Sequence, residues 1–211
     1  MRYFLFLISL ISFTVASSVD DYLPVEPGPT STNFGETGLL EMPTARFMPE
    51  GTLKMGINSF YPYEVTSLSA SPFSWMEAVF RYTEIKNQKY GPASYSGNQT
   101  LKDKGFDVKF RLIKERKYLP NVALGLRDLA GTGLFSSEYI VASKQIDDFD
   151  FSLGIAWGAL GRDGNISNPF KSLHDSFYAR EASSKGLGGG FNIKDWFSGE
   201  NAALYGGLEY K

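Results

Sequence analysis

Four carboxylates stand in or beside segments of alternating polarity, each with a cation close in sequence. Glu77 has Arg81, Asp107 has Lys109, Asp128 has Arg127, and Glu138 has Lys144. Two acids at a set separation suffice to cleave a glycoside, so this is one chemistry the residue types permit. The competing role is a charge network that braces a polar interior, and no catalytic residue is expected. Other chemistries are excluded more firmly. The chain has no cysteine and a single histidine, His174. Zinc-thiolate sites, Fe–S clusters and cysteine nucleophiles are therefore out. A serine triad would need His174, and no nucleophile elbow accompanies it. His174 itself is expected to be exposed and without a role.

The glycine-rich stretches Gly131-Thr-Gly133 and Gly186-Leu-Gly-Gly-Gly190 lack a following Lys-Ser/Thr and precede no convincing helix. They are neither P-loops nor dinucleotide fingerprints, and are read as bends or close backbone approaches within strands. Asp147, Asp148 and Asp150 lack the ligand pattern of a calcium loop and read as a solvated turn. No metal or cofactor is expected. The formal net charge is -2, without the basic stripe of a nucleic-acid binder.

Period-two segments must position the charged residues, because alternate side chains of a strand face opposite sides. Phe106, Val108, Phe110 and Leu112 share one face, with Asp107, Lys109 and Arg111 on the other. Phe149, Phe151, Leu153, Ile155 and Trp157 likewise oppose Asp150, Ser152, Gly154 and Ala156. In 75–84, Met76, Ala78, Phe80 and Tyr82 oppose Glu77, Val79, Arg81 and Thr83. Weaker candidates are 52–60, 64–70, 121–128, 135–145, 187–194 and 202–210. Polar loops at 87–103 and 161–186 contrast with tight turns at 119–121 and 147–148. The expectation is an all-β, antiparallel protein of about 8–9 strands. No helix of ten residues is expected after the leader, and 170–182 is expected to hold one helical turn. Aromatics make up 15% of the chain, charged residues 21%, and glycines number 22, which suits that class.

Ahead of the strands, Arg2 and the apolar run from Tyr3 to Ala16 have the form of a cleaved secretory signal, with Thr14-Val15-Ala16 as the cleavage site. Residues 17–34 contain Pro24, Pro27 and Pro29 and read as an extended lead-in. No later apolar run is long enough for a spanning helix.

Two environments satisfy such faces. A soluble sandwich turns the apolar face inward; a membrane barrel turns it to lipid and the polar face to a wet lumen. Two features favour the barrel: bulky aromatics on the apolar faces, with Tyr82, Trp157 and Tyr210 near strand ends as a girdle, and charges mixed with Gly, Ala and Ser opposite them. The residues then expected to face the lumen are Glu77, Arg81, Asp107, Lys109, Arg111 and Arg127, bonded to sugar hydroxyls or to one another. The alternative kept open is a soluble periplasmic β-domain that binds glycan.

Several stretches resemble a bacterial family of outer-membrane proteins associated with exopolysaccharide and capsule, the YjbH-like family. They are Gly35-Glu-Thr-Gly-Leu-Leu-Glu-Met-Pro-Thr-Ala-Arg-Phe-Met-Pro-Glu-Gly51 and Asp103-Lys-Gly-Phe-Asp-Val-Lys-Phe-Arg-Leu112. The most specific runs from Leu119-Pro120 through Ala123-Leu-Gly-Leu-Arg-Asp-Leu129 to Gly131-Thr-Gly-Leu-Phe-Ser-Ser-Glu-Tyr-Ile-Val-Ala-Ser-Lys144, and Asn168-Pro169-Phe170 adds to it. The resemblance implies a non-enzymatic outer-membrane β-barrel that helps polysaccharide cross or reach the membrane. It also implies partners among membrane lipid, polysaccharide and other envelope assembly proteins, and no nucleic acid. Family members are longer, and many carry a lipid-anchoring cysteine that this chain lacks. The expected organisation is signal peptide 1–16, lead-in 17–34 and barrel region 35–211, incomplete at its C-terminus.

Overall fold

A computed structural model describes residues 28–180 and 193–210. The expected signal peptide, most of the lead-in, the glycine run 186–190 and the greater part of candidate strand 187–194 lie outside the described residues.

Two residue pairs, β1 (Gly38–Leu39) and β2 (Met42–Pro43), form a small ladder near the start. Then come β3 (Thr52–Phe60), β4 (Tyr63–Phe73), β5 (Met76–Lys89), β6 (Thr100–Ile113), β7 (Asn121–Arg127), β8 (Ser137–Ile146) and β9 (Phe149–Gly158). A short β10 (Ile166–Ser167) and a long β11 (Asn201–Tyr210) complete the set. They make one antiparallel sheet of nine strands in the order β10-β11-β9-β8-β7-β6-β5-β4-β3. The all-β antiparallel expectation holds. Among the described residues β3 and β10 are edges, and the sheet is open rather than a complete barrel.

Boundaries differ where pairing outruns the amphipathic pattern. Lys89 pairs with Thr100 and Ile85 with Leu101, so β5 and β6 extend into the expected 87–103 loop and leave only 90–99 outside the ladder. Backbone bonds hold those polar strand ends, helped by the Thr100 hydroxyl donating to Glu84, and no apolar stripe announces them. The last residues of candidate 187–194 also differ, since Ile193–Asp195 is a 3-10 turn. Two further 3-10 turns, Pro169–Ser172 and Asp175–Phe177, occupy the region where one helical turn was expected.

The connections sort by end of the sheet. At one end β4–β5 and β8–β9 turn in two residues each, 74–75 and 147–148, and β6–β7 takes 114–120. At the other lie the longer 90–99, 128–136 and 159–200, beside the tight turn at Tyr61-Pro62.

The faces do not sort as in a soluble protein: charges and serines are buried beside a small apolar cluster of Ala45, Phe47, Ala123, Tyr139, Val141 and Ala156, and the outer face is apolar. Glu77, Val79, Arg81 and Thr83 of β5 and Asp103, Asp107 and Lys109 of β6 are buried. Ser67, Ser69 and Ser71 of β4 are buried with them. The opposite face exposes Leu53, Met55 and Ile57 of β3, Leu68 of β4, Phe80 of β5, Phe106 of β6 and Leu153 of β9, with Ile57 75% and Leu153 65% exposed. The buried polar face is covered by the chain's own residues 30–48, which bond to strands from β4 to β9. Glycines make room for this arrangement. Gly35, at φ +100°, lies against Ser67 so closely that a Cβ would come within 2.4 Å of it. Gly125 lies opposite Tyr139 in the β7–β8 register, and the ring fills the space a Cβ would need.

Candidate functional site

The buried polar face is built from cross-strand neighbours. Glu77 and Lys109 are direct partners in the β5–β6 register, and their charged ends stand 3.3 Å apart. Arg81 lies opposite Gly105, whose missing side chain leaves room for the guanidinium. One diagonal step away, Asp107 accepts from Arg81 Nε at 3.0 Å. The interior is stitched to the covering segment as well. Thr37 donates its N–H to Glu77 at 2.7 Å, and Lys109 Nζ donates to the carbonyls of Thr37 at 3.0 Å and Arg46 at 2.8 Å. Arg127 Nε donates to Glu36 at 2.6 Å, and Tyr139 donates its hydroxyl proton to the second oxygen of Glu36, also at 2.6 Å. Arg46 grips both oxygens of Asp150 at 2.7 and 2.6 Å and reaches Glu115. A paired, hydrogen-bonded charge is tolerated in the interior, whereas an unpaired one is not.

Outside the strands the same bonds set protonation. Burial pushes the Glu115 carboxyl up, but hydrogen bonds from Arg46, Lys144 and the Gln145 N–H outweigh it and hold it below the usual range. Asp128, at the start of the 128–136 loop, goes the other way. Burial raises it to about 6 against the opposing charge of Arg81, with Asp103 adding to the rise.

The structure brings Glu77, Arg81, Asp107, Lys109 and Arg127 together on the buried face. Arg111 shares that face but is half-buried, with its guanidinium 4.5 Å from the centre of the Phe47 ring. Glu138 does not join them. It lies on the opposite face under the 159–200 loop, bonded to Arg180 and to the N–H of Phe197. Trp157, its register partner, is covered by the same loop. It stacks on Phe170 at 5.1 Å and donates to Asn168 at 2.9 Å, so it is not a girdle residue. Tyr82 falls in the middle of the lengthened β5, and of the three expected girdle residues Tyr210 alone is exposed at a strand end. His174 is exposed and accepts from the N–H of Ser176, closing a 3-10 turn.

Glu36, Arg46 and Tyr139 escaped the sequence reading, and Asp150, read there as part of a solvated turn, is buried and held by Arg46. Their contacts bridge about a hundred residues, 91 for Arg127–Glu36, 103 for Tyr139–Glu36 and 104 for Arg46–Asp150, beyond any local pattern. The available signal was that Glu36 and Arg46 lie inside the first stretch of family resemblance and Tyr139 inside the most specific one.

At the end with the longer loops this interior opens into a pocket. Arg81 and Arg127 line it with Phe34, Phe60, Tyr63, Phe135 and Leu160, and Glu41 and Arg162 contribute as well.

The same covering segment and strands fall within residues 30–211, which match the family model described as exopolysaccharide biosynthesis protein YbjH, under the family name YjbH. The chain belongs to the YjbH family. A relative from Escherichia coli (strain K12), named uncharacterized lipoprotein YjbH, is 42% identical over 207 residues. That alignment takes in 97% of this chain and 29% of the relative, so the chain spans under a third of the relative's length. No solved structure matches the chain. The YjbH model begins at residue 30, where the covering segment begins, so the family's sequence pattern includes that segment as well as the sheet.

Proposed function

We propose that this chain forms part of the wall of an outer-membrane β-barrel that assists exopolysaccharide export or assembly, with residues 30–48 seated inside as a plug. The observation that carries the reading is the inversion of its faces. Ion pairs and serines lie buried under the covering segment, while Leu53, Met55, Ile57, Phe80, Phe106 and Leu153 stand exposed. In water such a band would be an aggregation surface; in lipid it is the stable arrangement, because the bilayer takes apolar side chains and the interior keeps the charges. The crowding of longer loops at one end agrees with it, since outer-membrane barrels have short periplasmic turns and longer outer loops.

An open edge in lipid leaves unpaired backbone groups at several kcal/mol each. In this reading further strands or subunits pair with β3 and β11 in the membrane. The role is binding and passage rather than catalysis: Glu77 and Asp107 are each held by a cation and serve the architecture. Partners are membrane lipid, polysaccharide and other envelope proteins of polysaccharide assembly.

The test is fractionation of the expressed protein, followed by boiled and unboiled gels of the membrane fraction. Retention through a urea wash in the outer membrane, with faster migration before boiling, is expected. Soluble material without a heat shift would overturn the reading in favour of a periplasmic glycan-binding domain.

A further inference from the structure

The pocket at the longer-loop end has a composition unlike the rest of the polar face. Its volume is about 200 Å³, room for one sugar ring rather than a chain segment. Phe34 comes from the covering segment, Phe60 and Tyr63 from the β3–β4 hairpin, and Phe135 from the 128–136 loop. Their rings meet edge-on or tilted, with Phe34 5.6 Å from Phe60 and 5.5 Å from Phe135, and Tyr63 5.8 Å from Phe135. Two guanidinium groups lie against these rings. Arg81 is 5.0 Å from the Phe135 centroid and 5.3 Å from that of Phe34, and Arg127 is 5.4 Å from that of Phe34.

Arg81 is the decisive residue. It is fully buried, Asp107 satisfies its Nε, and both terminal nitrogens lack a hydrogen-bond partner. A buried donor left unpaired costs about 1–3 kcal/mol, so an unfilled guanidinium fork lining a cavity calls for an acceptor. A planar fork matches a carboxylate, which it binds through two parallel hydrogen bonds. Arg162 lines the same pocket and makes no ion pair or side-chain hydrogen bond among the described residues. The rings supply the other half of the recognition, since an aromatic face offers a large, rigid apolar contact for the C–H face of a pyranose.

We propose that this pocket binds the carboxylate-bearing sugar unit of an acidic polysaccharide, with Arg81 and Arg162 on the carboxylate and the Phe60, Tyr63 and Phe135 rings against the sugar. The proposal rests on the export reading above and gives it a substrate class.

The experiment is calorimetric titration of the full-length protein, purified in detergent from whichever cell fraction holds it. The probes are galacturonic acid trimer, the neutral maltotriose and inorganic phosphate. The acidic trimer is expected to bind, maltotriose at least about ten-fold more weakly, as the loss of a charge-assisted pair predicts, and phosphate more weakly than the trimer. Arg162→Ala, at an unpaired position, keeps the fold and weakens the trimer about five-fold, the scale of an exposed ion pair. It also flattens the salt dependence. Arg81→Lys keeps the charge and the bond to Asp107 but removes the fork, and costs about ten-fold or more. Equal binding of the two trimers, phosphate binding as tight as the acidic trimer, no binding at all, or an Arg162→Ala variant indistinguishable from the parent would each overturn the proposal. Failure of the export reading looks different. A protein that binds the acidic trimer yet never enters the outer membrane refutes the barrel and leaves the pocket standing.

Discussion

Leu153 occupies the middle of β9 on the face away from the covering segment, and 65% of it is exposed. Replacing it with arginine separates the two possible surroundings of that face. In lipid near mid-membrane, an arginine costs about 2–4 kcal/mol. At about 1.4 kcal/mol per factor of ten, that lowers the ratio of assembled to unassembled protein roughly 30- to 700-fold. In water the same change puts a soluble side chain where an apolar one stood, and its effect falls within about 0.5 kcal/mol. Leu153→Ala gives the baseline, because it removes packing without adding charge. The neighbouring Ser152 points inward and shares a 2.7 Å hydrogen bond with Ser143, so the choice of residue, not the region, decides the result. The assay is the urea-resistant, heat-modifiable fraction in outer membranes, followed by the urea midpoint in lipid vesicles. Strong loss with Leu153→Arg and modest loss with Leu153→Ala is expected. If the arginine variant assembles as well as the alanine variant, the outer face is not in lipid and the argument from inverted faces fails.

Lys109→Met strands the buried Glu77 carboxylate, 3.3 Å from the lost ammonium, and is expected to cost about 3–5 kcal/mol. Adding Glu77→Gln should recover most of that in the urea midpoint, and a double variant no better than the single would reject the pairing. Asp128, raised to about 6, gives a pH dependence of definite sign. The native state keeps a proton between pH ~4 and ~6 that the unfolded chain has released, so stability falls as pH rises through that window and is flat above it. Asp128→Asn suits the positive φ of this position and removes that contribution. Its melting temperature relative to the parent should climb from pH 4.5 to 6.5 and stay higher at pH 7.5; a difference independent of pH would refute the assignment.

Much of the wall was legible along the chain. Strict alternation from Phe106 to Leu112 and from Phe149 to Ala156 is local information, carried by the period of an extended backbone, and it placed Asp107, Lys109, Asp150 and Ser152 on the right face. The tight turn at 147–148 was readable for the same reason. Trp157 obeys the alternation and still ends up buried, because Asn168 and Phe170 of the connection that follows β9 fold back over it, and strand periodicity says nothing of where a loop lies.

The sequence by itself determined an all-β chain with one apolar and one charged face, since each strand sorts its own side chains. Only the tertiary structure decided what covers the charged face. Residues 30–48 carry short strands and single polar side chains without periodicity, and their place depends on partners such as Asp150, Arg127 and Glu77, brought near by the sheet. The pocket has the same origin. Phe34, Tyr63, Arg81 and Phe135 come from four separate segments, and no pattern in any one of them announces the other three.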